Sequence, residues 1–242
     1  MPNIYDIFKK DPNLHAQKYE HYFAVYEKYL ARFVNKPVNV LEIGVDRGGG
    51  LKMWQQYFGP KAKIFGIDIL PSCAKFTKGN VKVFIGSQAD REFLRELIKK
   101  LPKIDVVIDD GSHVAKHIIT AFEEIYPHIS DNGVYIVEDL HTSYWPKMFW
   151  SRKRRNNFGR VFFYRGRLYL NGFAEYAGRL IHQLNSYHRD PKSYKWFLIP
   201  RAQRKAAVPA DDLAKNTRGI YFHDCMAVFE RGKMPEPLRL YK

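Results

Sequence analysis

The run Leu41-Glu42-Ile43-Gly44-Val45-Asp46-Arg47-Gly48-Gly49-Gly50 passes from a short apolar segment straight into a cluster of glycines. A brief apolar run bounded by glycine reads as a buried strand, and the spacing that follows predicts a helix to about Phe58. Glycines between a strand and a helix let a ligand approach the backbone without interference from Cβ atoms. In open α/β sheets that position, at the carboxyl end of a strand, is where ligands bind.

The rest of the chain repeats this rhythm. Strands are predicted at Val38 to Ile43, Lys63 to Ile67, Val81 to Ile85, Ile104 to Ile108 and Val134 to Val137. Helices are predicted at Asp90 to Lys100 and Val114 to His128, with closing strands at Ile220 to Phe222 and Met226 to Phe229. Apolar strands alternating with helices imply a sheet covered on both faces. The expected fold is therefore α/β and Rossmann-like: a doubly wound, seven-stranded, mostly parallel sheet with an antiparallel last strand. Aromatic residues from Tyr19 to Phe33 at steps of three and four predict an N-terminal helix over 14–34. Residues 141–170 break the alternation, with Arg165-Gly166-Arg167 as a hairpin turn and a helix at about 172–186. One domain spans 1–242, with 1–36 as a helical cap and 141–215 as a basic insertion forming an acceptor region.

Composition excludes several classes. Apolar residues are 45% and charged residues 27% of the 242, as in folded globular proteins. Mean hydropathy is −0.43, and no apolar run approaches a membrane span. The start lacks a basic-then-apolar pattern, and two cysteines, Cys73 and Cys225, fit neither a zinc site nor a disulfide framework. A cytoplasmic protein is expected.

Charge is concentrated. The net +15 comes largely from Lys147 to Ala206, where fifteen basic residues face two acidic ones, Glu175 and Asp190. Arginines there are interleaved with Phe162, Phe163, Tyr164 and Tyr169. Such a stretch suits an anionic partner, whether acidic glycan, membrane headgroup or nucleic acid. A solvated insertion is the plainer account.

The glycine loop does not carry the dinucleotide spacing G-x-G-x-x-G but E-x-G-x-x-x-G. That suits S-adenosylmethionine, which has no phosphates to seat. The second strand ends in Gly66-Ile67-Asp68, an acidic residue placed to accept from ribose hydroxyls. A tight turn followed by a helix cap would look the same. Asp109-Asp110-Gly111-Ser112-His113 and Glu138-Asp139-Leu140-His141 end strands on the same sheet edge. Carboxylates held together need a cation or protons between them, and hard oxygen ligands suit Mg²⁺. Neighbours on a strand face opposite ways, so Glu138 and Asp139 can act together only if the chain turns there. His113, a neutral base near neutrality, lies within reach of a substrate held by the metal.

Four segments, LEIGVDRGGGLKMW (41–54), GIDI (66–69), VIDDGSH (107–113) and VEDLHTSYWP (137–146), carry a resemblance. The chain resembles the Mg²⁺-dependent sugar O-methyltransferases of macrolide biosynthesis, of the mycinamicin and macrocin type. KYEHYFAVYEKYL (18–30) and IYFHDCMAVFE (220–230) are similar to that family's N-terminal helix and closing strands. The resemblance implies Mg²⁺ on Asp110, Glu138 and Asp139 and His113 as the general base. It implies that Glu42, Gly44, Gly48, Asp68 and Asp109 belong to the S-adenosylmethionine site, with Gln88 or Asp90 near the adenine. His21, Tyr22 and Tyr26 would line or cover the site, and Tyr144 and Trp145 would wall a sugar. Packed core aromatics would explain these five as well. Two departures stand out: Gly50 where the family commonly has Ser, and Tyr221-Phe222-His223-Asp224-Cys225 where it commonly has His-Phe-Tyr-Asp-Ser.

The expected activity is metal-dependent methylation of a sugar hydroxyl on an anionic glycan, glycolipid or glycosylated metabolite. Homo-oligomerisation and contact of 147–206 with an acidic membrane or glycan surface accompany it. RNA ribose methylation and a non-catalytic nucleoside- or glycan-binding domain are the alternatives. Iron-dependent hydroxylation would call for imidazole ligands, whereas the proposed ligands are all carboxylates.

Overall fold

The computed structural model describes residues 3–144, 161–164, 167–170, 172–184 and 212–234. Strands β1 (Asn39–Ile43), β2 (Lys63–Asp68), β3 (Val81–Ile85), β4 (Ile104–Asp109) and β5 (Ile129–Val137) pair in parallel. A small hairpin, β6 (Val161–Tyr164) and β7 (Arg167–Leu170), stands apart. Then β8 (Thr217–His223) and β9 (Met226–Arg231) complete the main sheet in the order β3-β2-β1-β4-β5-β9-β8, with β9 antiparallel to both neighbours. The predicted seven-stranded sheet and its reversed last strand are therefore present. β1 and β4 adjoin where the strand order reverses, so the fold opens a crevice at their carboxyl ends.

Strand alternation divides the core. Val40, Ile64, Val106, Ile108, Val134, Ile136 and Val228 pack on one face with α1 (Ile4–Lys10), α2 (Tyr22–Leu30) and α3 (Gly49–Phe58). Leu41, Ile67, Val107, Tyr135, Val137, Ala227 and Phe229 pack on the other with α4 (Arg91–Lys100), α5 (Ala115–Ile125) and α6 (Phe173–Leu184). Each helix presents one apolar stripe to its face of the sheet. A one-turn helix, α7 (Asp212–Lys215), precedes β8. Among the described residues no helix is long and apolar enough to cross a membrane.

The N-terminal region departs from expectation. The helix predicted over 14–34 is confined to α2 and a 3-10 turn at Ala31–Phe33, while α1 forms further upstream. Residues 11–21 run as an irregular strap. Its first residue, Asp11, is held by Lys52 Nζ at 2.7 Å and Gln56 Nε2 at 2.8 Å, both on α3. Of the predicted basic insertion, 145–160, 165–166, 171 and 185–211 lie outside the described residues, so Arg165-Gly166 does too. The strands flanking that turn are antiparallel as predicted.

Phe122 of α5 is the hinge of the second face. Its ring stacks on Tyr126 at 4.7 Å and meets Phe229 at 4.5 Å, Tyr135 at 5.2 Å and Phe173 at 5.9 Å. Phe122→Ala is expected to cost about 3–5 kcal/mol of unfolding free energy in a denaturant titration. A loss under about 1 kcal/mol would show that this cluster does not anchor the helix layer.

Candidate active site

At the carboxyl edge of the sheet a cleft of some 860 Å³ is lined by the β1 loop, the ends of β2 and β4, and the strap. That volume lies in the range of cofactor sites. Gly44, with φ of +94°, turns the chain out of β1, and a Cβ there would strike the Asp110 carbonyl. The glycine is therefore needed both for its conformation and for the closeness of the β1 and β4 loops.

Glu42 lies beneath this loop at 1% exposure. Its Oε1 accepts from Trp54 Nε1 at 2.9 Å, while Oε2 is buried and, among the described residues, has no partner. A buried acceptor left open at a cleft is what a donor on a bound ligand would satisfy. Burial pushes the Glu42 carboxyl up to about 8, against the pull of Lys18 and the Trp54 hydrogen bond. A Cβ on Gly50 would collide with this carboxylate, so the departure at Gly50 bears directly on Glu42.

Asp68, at the end of β2, faces the cleft but is already engaged. Its Oδ2 accepts from the backbone N–H groups of Val45 at 2.8 Å and Asp46 at 3.0 Å, and Oδ1 from Leu70 N–H at 2.8 Å. The carboxylate thus braces the glycine loop and has about one lone-pair site left for a ligand. Gln88 is also clamped: Oε1 accepts from Ser112 N–H at 2.7 Å and Nε2 donates to Asp109 Oδ1 at 3.1 Å.

Three sequence assignments to the cofactor site are not met by position. Asp109 points to the opposite face from Asp110, is 2% exposed, and accepts from Tyr135 Oη at 3.0 Å; it does not line the cleft. Strand alternation is the reason. Asp90 is the N-cap of α4, its Oδ1 accepting from Glu92 and Phe93 N–H, and also lies off the cleft. Gly48, with φ of +77°, sets the start of α3 and lines a neighbouring hollow instead.

The residues just after β4 and β5 meet at one end of the cleft. Asp110, His113 and Asp139 each offer a ligand atom within 4.8 Å of the others. His113 Nε2 lies 3.9 Å from Asp110 Oδ1 and 3.7 Å from Asp139 Oδ2. The turn required between Glu138 and Asp139 is there: Asp139 has φ of +55°, and His113 has φ of +54°. Left-handed non-glycine residues carry strain that tends to collect at functional sites. Thr142 Oγ1 lies 3.2 Å from the His113 carbonyl and 3.0 Å from that of Asp139, tying the two strained turns together.

Glu138 stands behind this trio at 1% exposure, with both oxygens engaged. Tyr26 Oη donates to Oε1 and Lys18 Nζ donates to Oε2, each at 2.6 Å. The same ammonium lies 2.6 Å from Asp110 Oδ2. Burial works against the Lys18 charge, but Asp110, Glu138 and Glu42 outweigh it and hold the amine more strongly protonated than an ordinary lysine. Tyr22 Oη donates to Asp139 Oδ1 at 2.7 Å. Tyr22 and Tyr26 are therefore buried supports of the carboxylates rather than a lining of the cleft. His21 does not line the cleft; its Nε2 lies 3.1 Å from the Asp224 carbonyl. Trp145 and the side chain of Tyr144 lie outside the described residues.

Lys18, Trp54 and Thr142 were not singled out from sequence. Trp54 could have been found from its register on α3, twelve residues after Glu42. Lys18 begins the KYEHYFAVYEKYL segment, but a lysine at the head of a helical pattern reads as surface.

The Glu42 shift has a consequence for stability. Above the ordinary carboxylate pKa of about 4.5 the unfolded chain releases this proton, while the folded chain retains it up to about pH 8. The folded state then binds more protons, so stability falls as pH rises across that window. Glu42→Gln is expected to make the decline in Tm between about pH 5 and 8 shallower. An unaltered slope would show that Glu42 is ionised in the folded protein throughout.

No protein-family profile matches the chain. By sequence it is 40% identical over 132 residues to an 8-demethyl-8-α-L-rhamnosyl tetracenomycin-C 2′-O-methyltransferase of Streptomyces olivaceus, a match covering 52% of this chain and 34% of the relative. It is 37% identical over 128 residues to the mycinamicin VI 2″-O-methyltransferase of Micromonospora griseorubida, covering 50% and 32%. The matched part is thus about a third of the length of each relative. Among solved structures, the MycE methyltransferase of the mycinamycin pathway, in complex with Mg, SAH and mycinamycin VI, superposes with a TM-score of 0.70. Identity there is 24%, over 96% of this chain and 54% of that one. The seven-stranded sheet is accordingly the Rossmann-like methyltransferase fold, and over about half its length the chain is similar in sequence to sugar O-methyltransferases.

Proposed function

We propose that this protein moves a methyl group from S-adenosylmethionine to a sugar hydroxyl with the help of a divalent cation, and that the acceptor is anionic. The observation that carries the reading is the convergence of Asp110, His113 and Asp139 within 4.8 Å at the cleft. Within that group Asp110 and Asp139 supply hard oxygen donors suited to Mg²⁺, and His113 stands beside them as a base. The open acceptor Glu42 Oε2 beside the glycine loop fits a nucleoside-bearing donor. The +13 balance of Lys147 to Ala206, fifteen basic residues less two acidic, supports an acidic acceptor.

In this reading Asp110, Glu138 and Asp139 hold the cation. When bound, S-adenosylmethionine supplies an electrophilic methyl group and the cation lowers the pKa of an oxygen it holds. His113 takes the proton of the acceptor hydroxyl at Nε2, the nitrogen that faces Asp110 and Asp139. Those two carboxylates orient the ring and stabilise it once protonated. Thr142 fixes the carbonyls of both turns, so that the base and one cation ligand keep their spacing.

The decisive experiment incubates the protein with methyl-labelled S-adenosylmethionine and fractionated glycan, lipid, RNA and small-molecule material, with Mg²⁺ or with EDTA. Mg²⁺-dependent label in a carbohydrate or glycolipid fraction is expected, and label in RNA alone would overturn the acceptor class. His113→Ala is expected to lower turnover by at least about 100-fold while S-adenosylmethionine and Mn²⁺ still bind. Loss of Mn²⁺ binding in that variant would make His113 a ligand instead of the base. Asp139→Ala is expected to lose the rate response to added Mg²⁺.

A further inference from the structure

We infer that Lys18 is a tethered counter-ion which exchanges with the divalent cation at Asp110 and Glu138. The inference rests on the metal-dependent reading above and concerns a residue outside the proposed ligand set.

The geometry carries it. Lys18 Nζ bridges Asp110 Oδ2 and Glu138 Oε2 at 2.6 Å each, which is the place an ion shared by those two carboxylates must take. Mg²⁺–oxygen bonds are about 2.0–2.1 Å. An ion bound to both oxygens would therefore lie in contact with the ammonium, two positive centres in one buried hollow. The two cations exclude each other there. Without metal, the amine supplies the charge that the buried carboxylates need, with its side chain only 2% exposed.

Lys18 belongs to the strap, and the strap lies on the cofactor loop. Leu14, His15, Ala16, Gln17 and Lys18 all line the cleft. A Cβ on Gly49 would strike the backbone of His15 and Ala16, so the strap rests directly on the start of α3. Lys18 itself lines the cleft, so its amine can leave Glu138 by swinging about its own side-chain bonds. A divalent cation would then free Glu138 to become a ligand. Asp11, held on α3 by Lys52 and Gln56, is placed to act as the fixed end of the strap.

Two measurements test this on the whole protein. Mn²⁺ binding is followed by electron paramagnetic resonance for the wild type and for Lys18→Met. Tighter binding by at least about tenfold is expected in the variant, since the ion no longer has a competitor. Equal or weaker binding in the variant would overturn the exchange. Absence of Mn²⁺ binding in both proteins would overturn the metal reading and the exchange with it. Should Lys18→Met fail to fold, the wild type alone decides through acetylation of lysines read by mass spectrometry. Lys18 is expected to be protected without metal and to react at least about tenfold faster at saturating Mg²⁺. Labelling of Lys18 that ignores saturating Mg²⁺ would refute the exchange.

Discussion

Lys18 Nζ lies 2.6 Å from both Asp110 and Glu138, and much of the surrounding architecture follows from having carboxylates in so dry a place. A buried carboxylate without a partner is strongly unfavourable, and removing one member of a buried pair costs about 3–5 kcal/mol. Glu42 and Glu138 are each 1% exposed. The donors that answer them come from elements N-terminal to or just after β1: Lys18 from the strap, Tyr22 and Tyr26 from α2, Trp54 from α3. Tyr22 and Tyr26 stand four residues apart, on one face of α2, and so reach two successive carboxylates, Asp139 and Glu138. The N-terminal region is for that reason part of the site and not a detachable cover.

Strand parity decides which acidic residues share the cleft. Val106 and Ile108 pack on the α2–α3 face, and Asp110 continues their side; Val107 packs on the other, and Asp109 continues that. The same count on β5 places Glu138 with Val134 and Ile136, facing Tyr26. Asp139 should by parity face away. Its left-handed backbone, φ of +55°, brings it back toward His113. One strained residue therefore converts an alternating pair into a converging one, at a cost of about 1–3 kcal/mol that the surrounding contacts must over-determine. Thr142 and the Tyr22 hydroxyl supply those contacts.

The sheet was legible because parallel strands buried on both faces leave short, unbroken apolar runs, and every run named from sequence is a strand. The acidic strand ends were legible for a related reason: charge directly after such a run has few explanations other than a cap or a ligand. Asp90 shows the limit, since a cap and a ligand leave the same letter in the sequence, and here it is a cap. Asp68 shows a second limit. It lines the cleft, but nothing local reveals that Val45, Asp46 and Leu70 already use most of its acceptor capacity. The strap was hidden most completely. Tyr19, Tyr22 and Tyr26 keep helical spacing, yet the helix begins only at Tyr22, because Lys18 is drawn inward by carboxylates 92 and 120 positions away.

Gly50 joins these strands of argument. Families resembling this chain commonly carry Ser there, a change that in sequence touches only a loop. In the fold, a Cβ at that position meets the Glu42 carboxylate. Glu42 is fixed on its other side by Trp54, itself fully buried, so the carboxylate has little room to retreat. A chain with Ser at this position must hold the equivalent acid in a different rotamer, or with the hydroxyl as an added donor to it. Here, among the described residues, Oε2 of Glu42 has no hydrogen-bond partner. The difference of one side chain thus reaches the acid beneath the loop through direct contact with its carboxylate.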